Sequence, residues 1–169
     1  MTILLFNNEI YGLTKGQYSP TSRQGKVTKS SPLGSVDTPF NPVSLALGAE
    51  ATFVARTMDS DRAHLSATLR AAAAHRGSAL VEIYQNCPIF NDGAFEVLKD
   101  RTEAEARIFH LVDGEPVAAG DQVVVRDDMG HLGVVARADA DPDRIVIHDA
   151  TCEDPGLAFA LSRLSESTL

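Results

Sequence analysis

Thr2-Ile3-Leu4-Leu5-Phe6-Asn7-Asn8-Glu9-Ile10-Tyr11-Gly12-Leu13-Thr14-Lys15-Gly16-Gln17 is the stretch that decides the fold. Apolar or β-branched residues run unbroken from Thr2 to Phe6 and stop at two asparagines. Such a run, without alternation, predicts a strand buried on both faces, as in a parallel sheet. In open α/β sheets ligands bind beyond the carboxyl ends of these strands, where Asn7 and Asn8 fall. An Asn side chain offers a neutral carbonyl oxygen, and Ile10 can offer its backbone carbonyl. Oxygen ligands of that kind suit Mg²⁺, which completes its shell with water, a carboxylate and a phosphate. Asn is also a common turn residue, so the pair by itself marks no more than a turn.

Downstream lies an irregular tract from Gly16 to Asn41, rich in Ser, Gly, Pro and Thr. Loops of this length within compact domains are functional or disordered. Lys15, Arg23, Lys26 and Lys29 are basic, and no acid occurs between Glu9 and Asp37. A cationic loop in an acidic chain suggests a small anionic ligand such as a carboxylate or a diphosphate. The alternative is a solvated surface loop whose sign is accidental.

Asn41-Pro42 predicts an N-cap with Pro at the first helical position, opening a short helix that stops at Gly48. A strand is expected over Thr52–Arg56. Asp59 or Ser60 is expected to cap a helix whose Leu65, Leu69, Ala72 and Ala73 share one face. Ala79–Tyr84 then forms a second strong strand, which makes a βαβ unit. Beyond Arg107 short alternating runs at Ile108–Val112, Gln122–Arg126, Leu132–Ala136 and Arg144–His148 predict a small antiparallel β appendage. Asp154-Pro155 opens a last helix, with Leu157, Phe159, Ala160 and Leu164 available to pack. The expected division is therefore residues 1–100 as an α/β layer, and 101–169 as a β-rich extension with a final helix.

Immediately past the second strand stands Gln85-Asn86-Cys87-Pro88-Ile89-Phe90-Asn91-Asp92-Gly93. A Cys held by a following Pro at a strand end is poorly placed for core packing, although a lone Cys is most often a small buried hydrophobe. Cys152 shows no comparable context and reads as an ordinary thiol.

The run Asn7-Asn8 through Gln17, continued by Tyr18-Ser19-Pro20-Thr21, resembles the thiamine-diphosphate loop of the β subunit of 2-oxoacid:ferredoxin oxidoreductases. Glu82-Ile83-Tyr84 through Gly93 resembles a second segment of the same subunit. The resemblance implies a thiamine-diphosphate-binding parallel sheet with flanking helices. It implies that Asn8 and Ile10 bind Mg²⁺, that Gly12 lies against the diphosphate, and that Lys15 faces the substrate as the catalytic residue. Cys87 would be one of the Cys₄ thiolates that hold a [4Fe–4S] cluster. The implied reaction is oxidative decarboxylation of a 2-oxo acid, with electrons passing through the cluster to ferredoxin and the acyl group to coenzyme A. The Lys-Gly-Gln-x-Ser-Pro-Thr run resembles the 2-oxoglutarate branch. An α subunit is the implied partner and supplies the Glu at the pyrimidine ring, which leaves Glu9 beside the site or facing solvent.

The family's Gly-Asp-Gly segment, whose Asp is the charged Mg²⁺ ligand, does not occur in this sequence, and two cysteines cannot supply a Cys₄ site. The expectation is a C-terminal part of such a subunit, inactive alone. The alternative is a non-catalytic fragment or split subunit that only binds the α chain. Another thiamine enzyme, such as an acetolactate-synthase relative, would have no need for the Cys87 segment.

Composition narrows the remaining classes. Hydrophobic residues make up 44% and charged residues 22%, an ordinary globular mixture. A formal net charge of -8 argues against nucleic acid as a partner. No apolar run approaches membrane-spanning length, and no charged segment precedes Thr2–Phe6, so neither an anchor nor a signal peptide is expected. With too few cysteines for a disulfide framework, a cytoplasmic protein is expected. Gly12-Leu13-Thr14-Lys15-Gly16 is not a P-loop, because its Lys precedes the second Gly. The histidines show no metal-ligand spacing.

Overall fold

A computed structural model describes residues 1–164, with the backbone alone at Arg101. The chain divides into two compact units, Met1–Glu96 and a second that begins at Val97. The first is a three-stranded parallel sheet of β1 (Thr2–Asn7), β2 (Phe53–Met58) and β3 (Ala79–Tyr84), in the order β1-β3-β2. Helix α1 (Pro42–Gly48) begins as its sequence predicts: Asn41 caps it, Oδ1 accepting the Ser44 N–H, with Pro at the start. Helix α2 (Arg62–Ala74) is capped by Asp61, whose side chain accepts from the His64 N–H, rather than by Asp59 or Ser60. β2 continues to Met58 and displaces the cap by those two residues.

The doubly buried strand is β3 and not β1. Ala79, Leu80, Val81, Glu82 and Ile83 are all buried, whereas Ile3, Leu4 and Phe6 are 45%, 45% and 58% exposed. The expectation for the first strand fails because β1 lies at an edge of this sheet and the helices of the unit pack on β2 and β3, leaving the faces of β1 uncovered. The core gathers Ala72, Ala79, Val81 and Ile83, against which Phe53, Leu65 and Leu69 pack. Ala73 is exposed, and Thr68 is buried on the inward face instead. The ring nitrogens of His64 and His75 lie 2.9 Å and 2.7 Å from the hydroxyls of Thr57 in β2 and of Thr52 just before it, tying both ends of α2 to that segment.

An apolar edge strand is a template for association with other strands. The chain expressed alone is therefore expected to self-associate, with light scattering after size exclusion showing species above monomer mass. Phe6→Lys should shift that distribution toward monomer. A monodisperse wild-type monomer would show that the β1 edge is not adhesive.

The second unit contains α3 (Arg101–Arg107), β4 (Ala118–Ala119), β5 (Gln122–Arg126), β6 (Leu132–Ala136) and α4 (Pro155–Leu164). Strands β4-β5-β6 form an antiparallel sheet. Val117, Val124 and Val146 make its core, joined by Phe109, Leu132, Val134, Leu157, Leu161 and Leu164. Phe159, expected to pack, is 44% exposed, and Leu161 takes that role. The expected strands at Ile108–Val112 and Arg144–His148 are reduced to single bridges, His110 to Ala118, Ile145 to Val125 and Ile147 to Pro116. Pro116 has no N–H to continue a ladder. Helix α3 has no apolar stripe and no counterpart in the sequence reading. Asp100 caps it by accepting from the N–H groups of Thr102 and Glu103, and Arg107 pairs with Glu103 one turn away at 2.8 Å. Residues 165–169, the end of the expected extension, lie outside the described residues.

Candidate cofactor-binding site at the carboxyl end of the sheet

Strand β1 ends in two successive Asx turns. Asn7 Oδ1 accepts the Glu9 N–H at 3.0 Å, and Asn8 Oδ1 accepts the Ile10 N–H at 3.2 Å. These short side chains replace ladder bonds where the strand has run out, while Glu9 takes φ 53° in the left-handed region. Thr21 Oγ1 donates to Asn7 Oδ1 at 2.7 Å, and Ser22 Oγ donates to the Glu9 carbonyl. The cationic loop is thus stitched back onto the strand end. It is ordered internally as well: Gly25 N–H donates to Ser35 O, and Ser35 N–H to Lys26 O.

Ile10 is 4% exposed and anchors the turn in the core, while Asn8 is half-buried. The next segment closes on itself, with the Tyr11 N–H donating to Gln17 O and the Gly16 N–H to Tyr11 O. Lys15 stands exposed at its tip with φ 67°, and its ammonium pairs with no acid among the described residues. At Gly16 φ is 96°, a conformation that favours glycine, and a methyl group there would also press on the Phe90 ring at 3.2 Å. Gly12 differs: its φ is not positive, and a methyl group would meet only Phe90, at an ordinary 3.9 Å. Among the described residues nothing demands glycine at that position.

Phe90 belongs to the segment that follows β3, so the two stretches singled out in the sequence meet. That segment is held as a tight loop. The Asn91 N–H donates to Cys87 O at 2.9 Å, and Asn86 embraces the far side, donating to Asp92 Oδ1 and accepting the Gly93 N–H. Cys87 is half-buried within it. Cys152 belongs to the second unit and is exposed.

Beneath the loops lies a charged cluster. Glu82, fully buried on β3, accepts from Arg56 Nε at 2.7 Å and from Asn7 Nδ2 at 2.8 Å. Arg56 and Glu82 are register partners on neighbouring strands, which places them on one face. The Arg56 guanidinium also sits 5.2 Å from the ring centroid of Tyr84, which stacks on Phe95 at 4.7 Å. Burial pushes the Tyr84 hydroxyl up to about 12 despite the neighbouring cation. Burial likewise raises Glu9 above the usual carboxylate range, opposed by Arg23 and Lys26, with Arg23 Nε 3.6 Å away. Glu9, Arg23, Lys26, Asn91, Asp92, Gly93 and Ala94 line a cleft of about 330 Å³.

The donor chemistry fits a shared site. Asn8 offers neutral oxygens of the kind Mg²⁺ accepts, and Cys87 offers one thiolate. Among the described residues no group of three His, Cys, Asp or Glu could hold a metal ion. Glu82, Arg56 and Asn91 escaped the sequence reading. A lone acid inside Ala79-Leu80-Val81-Glu82-Ile83 was the available signal for the first, since a buried charge must be paired.

A family model described as the thiamine pyrophosphate enzyme, C-terminal TPP binding domain, matches residues 1–83. The chain is 62% identical to the 2-oxoglutarate oxidoreductase subunit KorB of Mycobacterium tuberculosis, over 100% of its own length and 46% of that protein. It is 44% identical to 2-oxoacid:ferredoxin oxidoreductase 1, subunit beta, of Aeropyrum pernix, over 60% of this chain and 32% of that one. Among solved structures it is similar to the 2-oxoglutarate:ferredoxin oxidoreductase from Magnetococcus marinus with 2-oxoglutarate, coenzyme A and succinyl-CoA bound. That match has a TM-score of 0.53 and 41% identity, over 55% of this chain and 32% of the other. The chain spans about half the length of its mycobacterial relative or less of the others. By this likeness over its whole length, the chain belongs to the β subunits of the 2-oxoacid:ferredoxin oxidoreductases, spanning about half of such a subunit.

Proposed function

We propose that this chain forms the C-terminal part of the thiamine-diphosphate domain in a 2-oxoglutarate:ferredoxin oxidoreductase β subunit. It works there with an α subunit, coenzyme A and ferredoxin. The observation that supports this best is the meeting of the Gly12–Gly16 turn with the Cys87 loop through Phe90. Bound thiamine diphosphate would supply the chemistry that removes CO₂ from a 2-oxo acid, and a [4Fe–4S] cluster would carry the electrons away. This chain's residues place those groups. Asn8 Oδ1 and the Ile10 carbonyl are oxygen ligands for Mg²⁺, the bare backbone at Gly12 lets the diphosphate approach, and Cys87 supplies one cluster thiolate. Lys15, raised at the tip of a closed turn, presents its positive charge to the substrate carboxylate. Free thiols at Cys87 and Cys152 suit a reducing compartment such as the cytoplasm.

The test uses the complete β subunit assembled anaerobically with its α subunit. Asn8→Ala should lower 2-oxoglutarate- and coenzyme A-dependent dye reduction by about 10²-fold, the scale of loss when a reacting group is misplaced. Undiminished activity would mean that Asn8 serves the turn alone.

A further inference from the structure

Asn91 is 5% exposed and joins segments far apart in sequence. Its Nδ2 donates to the Asn8 carbonyl at 2.8 Å, and its Oδ1 accepts from Lys26 Nζ in the cationic loop. Its backbone N–H donates to the Cys87 carbonyl at 2.9 Å. One residue therefore fastens the turn that carries Asn8, the loop that carries Cys87, and the cationic loop at Lys26. A buried asparagine with satisfied partners is common, and burial alone decides nothing. The identity of the partners does. Two are the backbone carbonyls of the residues assigned above to Mg²⁺ and to the cluster, and the third is a cation that fixes which way the amide points. Only an amide offers a donor and an acceptor side by side, and Gln would overreach by a methylene. Asp would keep the acceptor for Lys26 but turn a carboxylate oxygen toward the Asn8 carbonyl.

We infer that Asn91 is a positioning residue that holds the Asn8–Ile10 turn and the Cys87 loop at one fixed separation, so that the two cofactor sites are set by a single side chain. The inference rests on the roles proposed above for Asn8 and Cys87. It concerns geometry between two ligands, and Asn91 itself touches neither cofactor.

Asn91→Asp, made in the complete β subunit assembled with its α subunit, preserves size, the backbone link to Cys87 and the acceptor for Lys26. Titration calorimetry on the cofactor-free assembly should show Mg²⁺–thiamine diphosphate binding about tenfold more weakly, the scale of one lost buried hydrogen bond. The electron paramagnetic resonance spectrum of the reduced cluster should change in the same variant, while the assembly still melts cooperatively within about 10 °C of the wild type. If Asn91→Asp does not assemble, Asn91→Ala, which lacks the repulsion, is read in the same way. Cys87→Ala and Asn8→Ala separate the two levels. Should the cluster signal survive the first, or cofactor affinity the second, the underlying assignment of ligands is wrong. Should both behave as assigned while the Asn91 variants alter neither property, or only one, Asn91 does not set the separation.

Discussion

Glu82→Ala should lower the melting temperature of the assembled β subunit by on the order of 10 °C, the largest stability effect expected from a single substitution in the first unit. Removing one partner of a fully buried ion pair costs about 3–5 kcal/mol, and the lower end applies here because Arg56 keeps 27% of its side chain exposed and lies over the Tyr84 ring. Here the loss is compounded. Glu82 also accepts from Asn7 Nδ2, and Asn7 in turn holds the Glu9 N–H and the Thr21 hydroxyl. The damage should therefore spread from the centre of the sheet to the cofactor turn, and thiamine diphosphate affinity should fall along with stability. Glu82→Leu combined with Arg56→Met should recover most of the melting temperature, because an apolar pair replaces a buried ion pair at little cost. It should not recover the affinity, because Asn7 Nδ2 still lacks its acceptor. Calorimetric melts and cofactor titrations of the two variants check both statements. Equal recovery of both properties would show that Asn7 needs no support from Glu82.

Cys87→Ser is expected to abolish ferredoxin reduction by the same assembly and to remove or transform the reduced-cluster signal, since Cys thiolates are the ligands that hold such clusters. Thiamine diphosphate affinity should change little, because the loop stays closed by Asn86 and by the backbone bond from Asn91 to Cys87. Retention of affinity with loss of electron transfer separates a cluster ligand from a packing residue, whose replacement would weaken both together. An unchanged spectrum would remove Cys87 from the cluster.

Where local chemistry dominated, the chain was legible from its residues. β3, β5 and β6 occupy the bounds that their apolar runs predicted, and Asn41-Pro42 starts α1 as capping rules require. The parallel α/β layer with an antiparallel appendage was likewise foreseen. β1 was misjudged because an apolar run cannot say whether a strand has one neighbour or two. Isolated bridges at residues 108–112 and 144–148 look like strands in sequence, but pairing depends on what stands opposite, and Pro116 stands opposite Ile147. Helix α3 was missed because it is stabilised by its cap and an ion pair instead of an apolar stripe. At the candidate site, Asn8, Gly12, Lys15 and Cys87 were singled out by their neighbours in sequence. Glu82 and Asn91 act through neighbours in space, separated from Asn7 and Asn8 by 75 and 83 positions.

The order β1-β3-β2 also sets a timetable. The last strand made is the middle one, and β1 cannot pair until it arrives: Thr2 finds its register partner at Ala79. At ordinary translation rates of about 5–20 residues per second, that interval is roughly 4–15 s. Throughout it β1 waits without β3, its neighbour in this sheet. β2 waits a much shorter interval, since Phe53 meets the same Ala79. Newly made chains should therefore be most vulnerable to misassociation before residue 79 emerges, and chaperone occupancy should be concentrated on that window.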